Sequence, residues 1–254
     1  MNKFAIEIRD VFFSYMTPRK EHYFEKVPFP FKRVVNDKKT ALNGISLDIQ
    51  KGKITALLGR NGSGKTSLIK LITGTRIADS GEIKVFGMQP NQARHIMGVC
   101  MGNTLIYHRL TARENLEYFA NLYNVENVNK RIDELADILE IRDILDQLVE
   151  SFSFGMKAKL AIARSLIHSP ELLILDEPTL GIDLHLATHL REFIRRLKCT
   201  VLLTTHYMEE AQILADDLCL IDKGKIHDMG PKNIILDKYN ATGVSEVFLQ
   251  ATGT

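Results

Sequence analysis

Ser151-Phe-Ser-Phe-Gly-Met-Lys157 and Leu172-Leu-Ile-Leu-Asp-Glu-Pro-Thr-Leu-Gly-Ile-Asp183 are the stretches whose reading decides the fold. In the first, Ser153 stands where a helix N-cap belongs, ahead of the apolar segment Leu160–Leu166. In the second, a short apolar run of strand character ends in the adjacent carboxylates Asp176 and Glu177, and Pro178 then forces a turn. Upstream, Gly59-Arg-Asn-Gly-Ser-Gly-Lys-Thr66 follows the apolar run Ile54–Leu58 and precedes the helical segment Ser67–Thr73.

A strand, a glycine-rich loop with a terminal Lys-Thr and then a helix is the context in which G-x-x-x-x-G-K-[ST] binds phosphate. Glycines at 59, 62 and 64 let the backbone N–H groups converge, with Asn61 and Ser63 between them and Ser67 just beyond. Lys65 supplies a cation to the β- and γ-phosphates, and the Thr66 hydroxyl suits Mg²⁺. An apolar strand aiming a carboxylate at such a loop holds the same ion, which assigns Asp176 to it. Glu177, one residue on, suits orienting or deprotonating an attacking water. A helix N-terminus at Ser153 offers free N–H groups and a partial positive charge to a phosphate. That field is worth about 0.3–1 kcal/mol, so Lys65 and the metal carry most of the binding.

Strand-like alternation opens the chain at Phe4–Tyr15, and Pro18, Pro28 and Pro30 interrupt it. Residues 16–39 read as an irregular insertion, a long loop or short amphipathic segment, whose Tyr23, Phe24, Phe29 and Phe31 suit docking on a partner or, the favoured reading, packing back on their own domain. Leu42–Ile49 and Glu82–Phe86 read as strands. Thr111-Ala-Arg-Glu114 is a capping box that starts a helix to about Tyr123. Asn127–Glu140 places Ile132, Leu135, Ile138 and Leu139 on one helical face, and Ile141–Leu148 continues the helical character. Residues 105–158 thus form an inserted α-helical subdomain. Helices near 156–168, 184–197 and 207–215 then alternate with strands at Leu172–Leu175, Thr200–Thr204 and Leu218–Ile221. This alternation predicts a parallel sheet covered on both faces, and one domain over residues 1–254.

Composition restricts the classes. The chain has 254 residues, 45% of them hydrophobic and 25% charged, as in soluble globular proteins. A net charge of +2 gives no global case for nucleic-acid or anionic-membrane binding. Cys100, Cys199 and Cys219 form no metal or redox spacing; sparse thiols of this kind suit a reducing compartment. No apolar run reaches the roughly 18–20 residues needed to span a bilayer. Met1-Asn-Lys-Phe4 shows no signal-peptide pattern. Any service to a membrane is expected from its cytoplasmic face, through a partner.

The order of P-loop, helical insert, Ser-x-Gly-Met-Lys, apolar-Asp-Glu-Pro-Thr-x-Gly-x-Asp and Thr-His resembles the ATP-binding cassette (ABC) transporter nucleotide-binding domain over nearly the whole chain. That resemblance implies a RecA-like P-loop NTPase core with an N-terminal antiparallel β-subdomain and the inserted helices. Phe152–Met156 matches the signature Leu-Ser-Gly-Gly-Gln with changes: Phe152 for Leu, Phe154 for the first Gly and Met156 for Gln. Such variants are found in ABC-2-type export ATPases. Asp183 matches the D-loop aspartate, His206 the switch histidine that contacts γ-phosphate, and Tyr15 the aromatic beneath adenine. His185 and His189 are surface or packing residues.

One position departs from the pattern. The family places a glutamine, linking Mg²⁺ to the transmembrane partner, after the strand preceding the helical insert; this chain reads Met97-Gly-Val-Cys-Met-Gly-Asn-Thr104. Spacing from Thr111 puts Gly102 there, and a one-residue deletion puts Asn103 there, next to both nucleotide and metal. The Gly-Gln pair of some ABC-2-type relatives favours Asn103.

The resemblance implies an ATPase using ATP and Mg²⁺ that dimerises head to tail. Ser153 and Gly155 of one subunit would close on the P-loop of the other, to drive a separate membrane permease in an ABC-2-type exporter. Polysaccharide export, a weakly active cassette and a non-transport ABC ATPase are the alternatives.

Overall fold

The computed structural model describes residues 3–22, 32–101 and 106–253, with the backbone alone for 18–22 and 32–36. Among the described residues, strands β1 (Phe4–His22), β2 (Lys32–Gln50), β3 (Ile54–Leu58), β4 (Ser80–Val85), β5 (Met97–Met101), β6 (Leu172–Asp176), β7 (Thr200–Thr205), β8 (Asp217–Asp222) and β9 (Lys225–Pro231) form two sheets. One is antiparallel, in the order β2-β1-β4; the other runs β5-β6-β7-β3-β8-β9, parallel except for the β8–β9 hairpin.

Side chains alternate across the larger sheet and fill two cores. Ala56 and Leu58 of β3, Leu173 and Leu175 of β6, and Val201 and Leu203 of β7 face one core, which also contains the helical insert. Leu57, Leu172, Ile174 and Leu202 face the other, shared with the antiparallel sheet and helix α1 (Lys65–Ile72). A sheet apolar on both faces is the expected outcome of parallel strands covered on both sides.

The helical insert comprises α2 (Ala112–Leu122) and α3 (Val128–Ile138), then two 3₁₀ turns, and passes into α4 (Phe154–Leu166). The capping box is present: Glu114 N–H donates to Thr111 Oγ1 at 3.1 Å, and Thr111 N–H donates to Glu114 Oε2 at 2.7 Å. Helix α5 (Leu184–Arg196) joins β6 to β7, and α6 (Met208–Leu214) joins β7 to β8. Helices α7 (Lys232–Lys238) and α8 (Val244–Thr252) follow β9.

Three sequence expectations are corrected. Residues 16–22 and 32–39 are not irregular: they continue β1 and β2 as an antiparallel ribbon, registered from Met16↔Lys38 to His22↔Lys32. Prolines misled the reading. Pro18 lies in a two-stranded ribbon, where a residue lacking N–H is tolerated on a free edge, and Pro28 and Pro30 fall outside the described residues. The four aromatics assigned to packing there, Tyr23, Phe24, Phe29 and Phe31, also fall outside them. Second, Ile141–Leu148 is no continuous helix; Arg142–Ile144 makes a single 3₁₀ turn. Third, Ile138 is 56% exposed, and Ala136 joins Ile132, Leu135 and Leu139 in the core instead.

Candidate functional site

Strand β3 ends at the glycine-rich loop, and α1 begins at Lys65 directly beyond it. Gly64 adopts φ 115°, and a Cβ there would sit 2.9 Å from the Ala41 carbonyl oxygen, so glycine alone fits. The loop forms the floor of a cleft of about 330 Å³, lined by Arg60, Asn61, Gly62, Gly64, Lys65, Thr66 and Ser67 together with Asp176 and Glu177. Gly59 and Ser63 do not line the cleft; Ser63 Oγ is buried without a hydrogen-bond partner.

Neighbouring parallel strands deliver the acidic groups. Pairing of β6 with β7 sets Asp176 beside Thr204, whose hydroxyl donates to Asp176 Oδ1. The other oxygen, Oδ2, accepts from Thr66 Oγ1 at 3.4 Å. Lys65 Nζ donates to the Gly59 carbonyl at 2.6 Å and to that of Arg60 at 3.4 Å, and pairs with Glu177 Oε1 at 3.3 Å. Glu177 Oε2 lies 2.7 Å from His206 Nδ1. The base candidate therefore bridges Lys65 of the glycine-rich loop and the histidine that follows β7.

Glu177 itself has φ 54°, in the left-handed region that non-glycine residues seldom occupy. Its N–H donates to the Thr204 carbonyl at 3.0 Å, which holds this conformation against the sheet.

At the other end of the cleft Tyr15 OH and Ser67 Oγ are hydrogen-bonded at 3.3 Å, and Lys70 Nζ lies 5.9 Å from the Tyr15 ring centre. Lys39, Thr40 and Ala41 of β2 also line the cleft. Sequence reading missed them, because the β1–β2 register that sets Lys39 opposite Tyr15 arises in the segment taken for a loop. Thr204 was likewise missed; a threonine inside a strand carries no signal until its neighbour is known.

Ser153 and Asp183 lie elsewhere and do not line the cleft. Both are N-caps: Ser153 Oγ accepts from Met156 N–H at 3.2 Å, and Asp183 Oδ1 from Leu186 N–H at 3.0 Å. The Leu186 N–H also holds the Asp183 carboxyl below the usual carboxylate range. Phe154 lies against the turn before Asp183, with a ring carbon 3.2 Å from where a Cβ on Gly181 would sit. Phe154, Leu180 and Leu184 are 51%, 47% and 73% exposed, an apolar surface beside Ser153 and Gly155. Gly102 and Asn103 lie outside the described residues. His185 and His189 are exposed, their ring centres 4.4 Å apart on α5.

Comparison with known proteins agrees with this geometry. The ABC transporter family pattern matches residues 42–180, more than half of the chain. The ABC transporter ATP-binding protein NatA of Bacillus subtilis (strain 168) is 36% identical over 219 residues, which is 82% of this chain and 89% of that protein. The Nod factor export ATP-binding protein I of Rhizobium sp. (strain N33) is 33% identical over 219 residues, 83% of this chain and 72% of that one. A solved ATP-binding subunit of an ABC transporter superposes with a TM-score of 0.81 over 98% of this chain and 99% of its own; at 24% identity it bears on the fold alone. Motif order, cleft and relatives coincide, and the chain belongs to the ABC transporter family as an ATP-binding, ATP-hydrolysing subunit.

Proposed function

We propose that this subunit binds ATP between its own P-loop and the Ser153–Gly155 segment of a second cassette, and that closure of the pair drives export through a separate permease. The observation that carries this reading is the separation of the two halves: the cleft holds Lys65, Thr66, Asp176 and Glu177, while Ser153 and Gly155 form no part of its lining. The exposed apolar group Phe154, Leu180 and Leu184 flanks the second half, as an association surface requires. The name of the Rhizobium relative supports the direction of transport. No helix among the described residues is long and apolar enough to cross a membrane.

Within one subunit, Lys65 and the loop N–H groups bind the β- and γ-phosphates, Tyr15 packs on adenine, and Glu177 orients the attacking water and takes its proton. His206 fixes Glu177 and reaches the γ-phosphate. Asp183 acts across the dimer. Thr66 Oγ1 and Asp176 Oδ2 form an all-oxygen pair at the loop, a donor set suited to Mg²⁺, and Asn103 would complete it. Mg²⁺ held there would neutralise charge on the transferred phosphoryl group.

The test is Glu177→Gln. It is expected to retain ATP binding, abolish steady-state hydrolysis and trap a dimer in ATP, seen by light scattering. Adding Ser153→Arg should leave the trapped species monomeric. Hydrolysis at the wild-type rate by Glu177→Gln would exclude Glu177 as the base, and an ATP-trapped dimer that survives Ser153→Arg would exclude the shared site.

A further inference from the structure

Glu210 lies on the first turn of α6, four residues after His206, and is completely buried. A carboxylate in that setting is costly unless its partners are worth the burial. Its Oε1 accepts a hydrogen bond from Thr179 Oγ1 at 2.9 Å. Thr179 is itself buried. Burial pushes the Glu210 carboxyl above the usual range; the Thr179 hydrogen bond and the charge of Arg191, on α5, act in the opposite sense. Glu210 Oε2 and Arg191 Nε are both buried without a hydrogen-bond partner.

Both ends of this tie lie beside the site. Thr179 comes two residues after Glu177, and α6, which carries Glu210, begins two residues after His206. Glu177 sits at φ 54°, a strained conformation that persists only where the surroundings over-determine it. On its N-terminal side the hydrogen bond to the Thr204 carbonyl supplies that constraint. On its C-terminal side, the side-chain tie of Thr179 to Glu210 holds the turn that follows.

We infer that Glu210 is a positioning residue for ATP hydrolysis: through Thr179 it ties the turn that follows Glu177 to the helix that begins just after His206, so that the carboxylate–imidazole contact of Glu177 and His206 is preset. This inference rests on Glu177 and His206 acting as proposed above. Glu210 does not line the cleft; its effect passes through the backbone on either side of it. It accordingly bears on turnover and leaves the phosphate-binding loop untouched.

Thr179→Val removes the donor and keeps the shape, and Thr179→Ser keeps the donor. Glu210→Ala removes the acceptor; where that variant folds poorly, the Thr179 pair carries the test alone. Thr179→Val is expected to lower kcat by tenfold or more with the Kd for ATP within threefold of wild type. Thr179→Ser should restore kcat to within threefold, and Thr179→Val with Glu210→Ala should be no slower than the worse single variant. A kcat for Thr179→Val within twofold of wild type overturns the inference. So does a parallel loss of ATP affinity, a Thr179→Ser variant as slow as the valine one, or additive losses in the double variant. Glu177→Gln serves as the control. If it is inactive while Thr179→Val is not, only the clamp fails; if it hydrolyses ATP at the wild-type rate, the underlying reading fails.

Discussion

Glu177 and His206 share a hydrogen bond of 2.7 Å between Oε2 and Nδ1, while the other Glu177 oxygen faces Lys65 Nζ at 3.3 Å. One carboxylate thus spans the gap between the cation of the phosphate-binding loop and the imidazole after β7. With Nδ1 committed to the carboxylate, Nε2 remains the ring atom available to a phosphate oxygen.

His206→Ala removes the contact to Glu177 and, on the function proposed above, the γ-phosphate contact as well. Positioned acid–base groups contribute about 10²–10⁴-fold, and His206→Ala is expected to slow steady-state phosphate release by about 100-fold while ATP affinity stays within about threefold. Measurement of kcat and of nucleotide Kd checks both halves. Full activity in the alanine variant would show that Glu177 needs no partner after β7.

Asn103 is shorter than glutamine by one C–C bond, about 1.5 Å, and displacements near 1 Å are worth on the order of 10² in rate. Asn103→Gln is therefore expected to give ATPase activity equal to or above that of the parent chain. A large loss of turnover in that variant would mean that the backbone around residue 103 is built for asparagine.

A pH effect on stability is expected at His168. Its ring stacks on Tyr123 with centres 3.9 Å apart, its Nε2 donates to the Met97 carbonyl at 3.1 Å, and Nδ1 is buried without a partner. Burial holds the ring below its ordinary pKa, the Met97 hydrogen bond opposes this, and Arg131 adds to it. The unfolded chain therefore takes up this proton at a higher pH than the native one, and unfolding free energy rises with pH. The contribution is complete above about pH 6.5 and is lost as pH falls below it. Urea unfolding of wild type and His168→Phe at about pH 7.5 and 5.5 tests it. The phenylalanine variant should lose less stability on acidification; equal losses would remove His168 as the cause.

Much of the site was legible because its chemistry demands local sequence. Lys65 and Thr66 must follow glycines, Asp176 and Glu177 must end an apolar strand, and Ser153 advertises itself as a helix cap; Asp183 was reached through the family resemblance, and its capping role emerges only from the fold. What escaped reading depends on partners distant in the chain. Lys39 enters the cleft only through cross-strand register with Tyr15, Thr204 matters only beside Asp176, and Glu210 resembles any acidic residue on a helix until Thr179 is placed against it. The ribbon was misread for a related reason: proline argues against a strand locally, and a two-stranded ribbon with free edges relaxes that rule.

Strand β3, which carries the phosphate-binding loop, lies between β7 and β8 in the sheet. Its ladder partners are Val201–Thr205 on one side and Asp217–Leu220 on the other. During synthesis the loop thus emerges long before either neighbour exists, and the apolar strand beneath it has no mate until the chain has passed residue 200. The Glu177 end of the cleft is just as late, since the Glu177 N–H needs the Thr204 carbonyl. The nucleotide site is assembled last from the first motif made, and a nascent chain halted before β7 carries the whole glycine-rich loop without the sheet that gives it its shape.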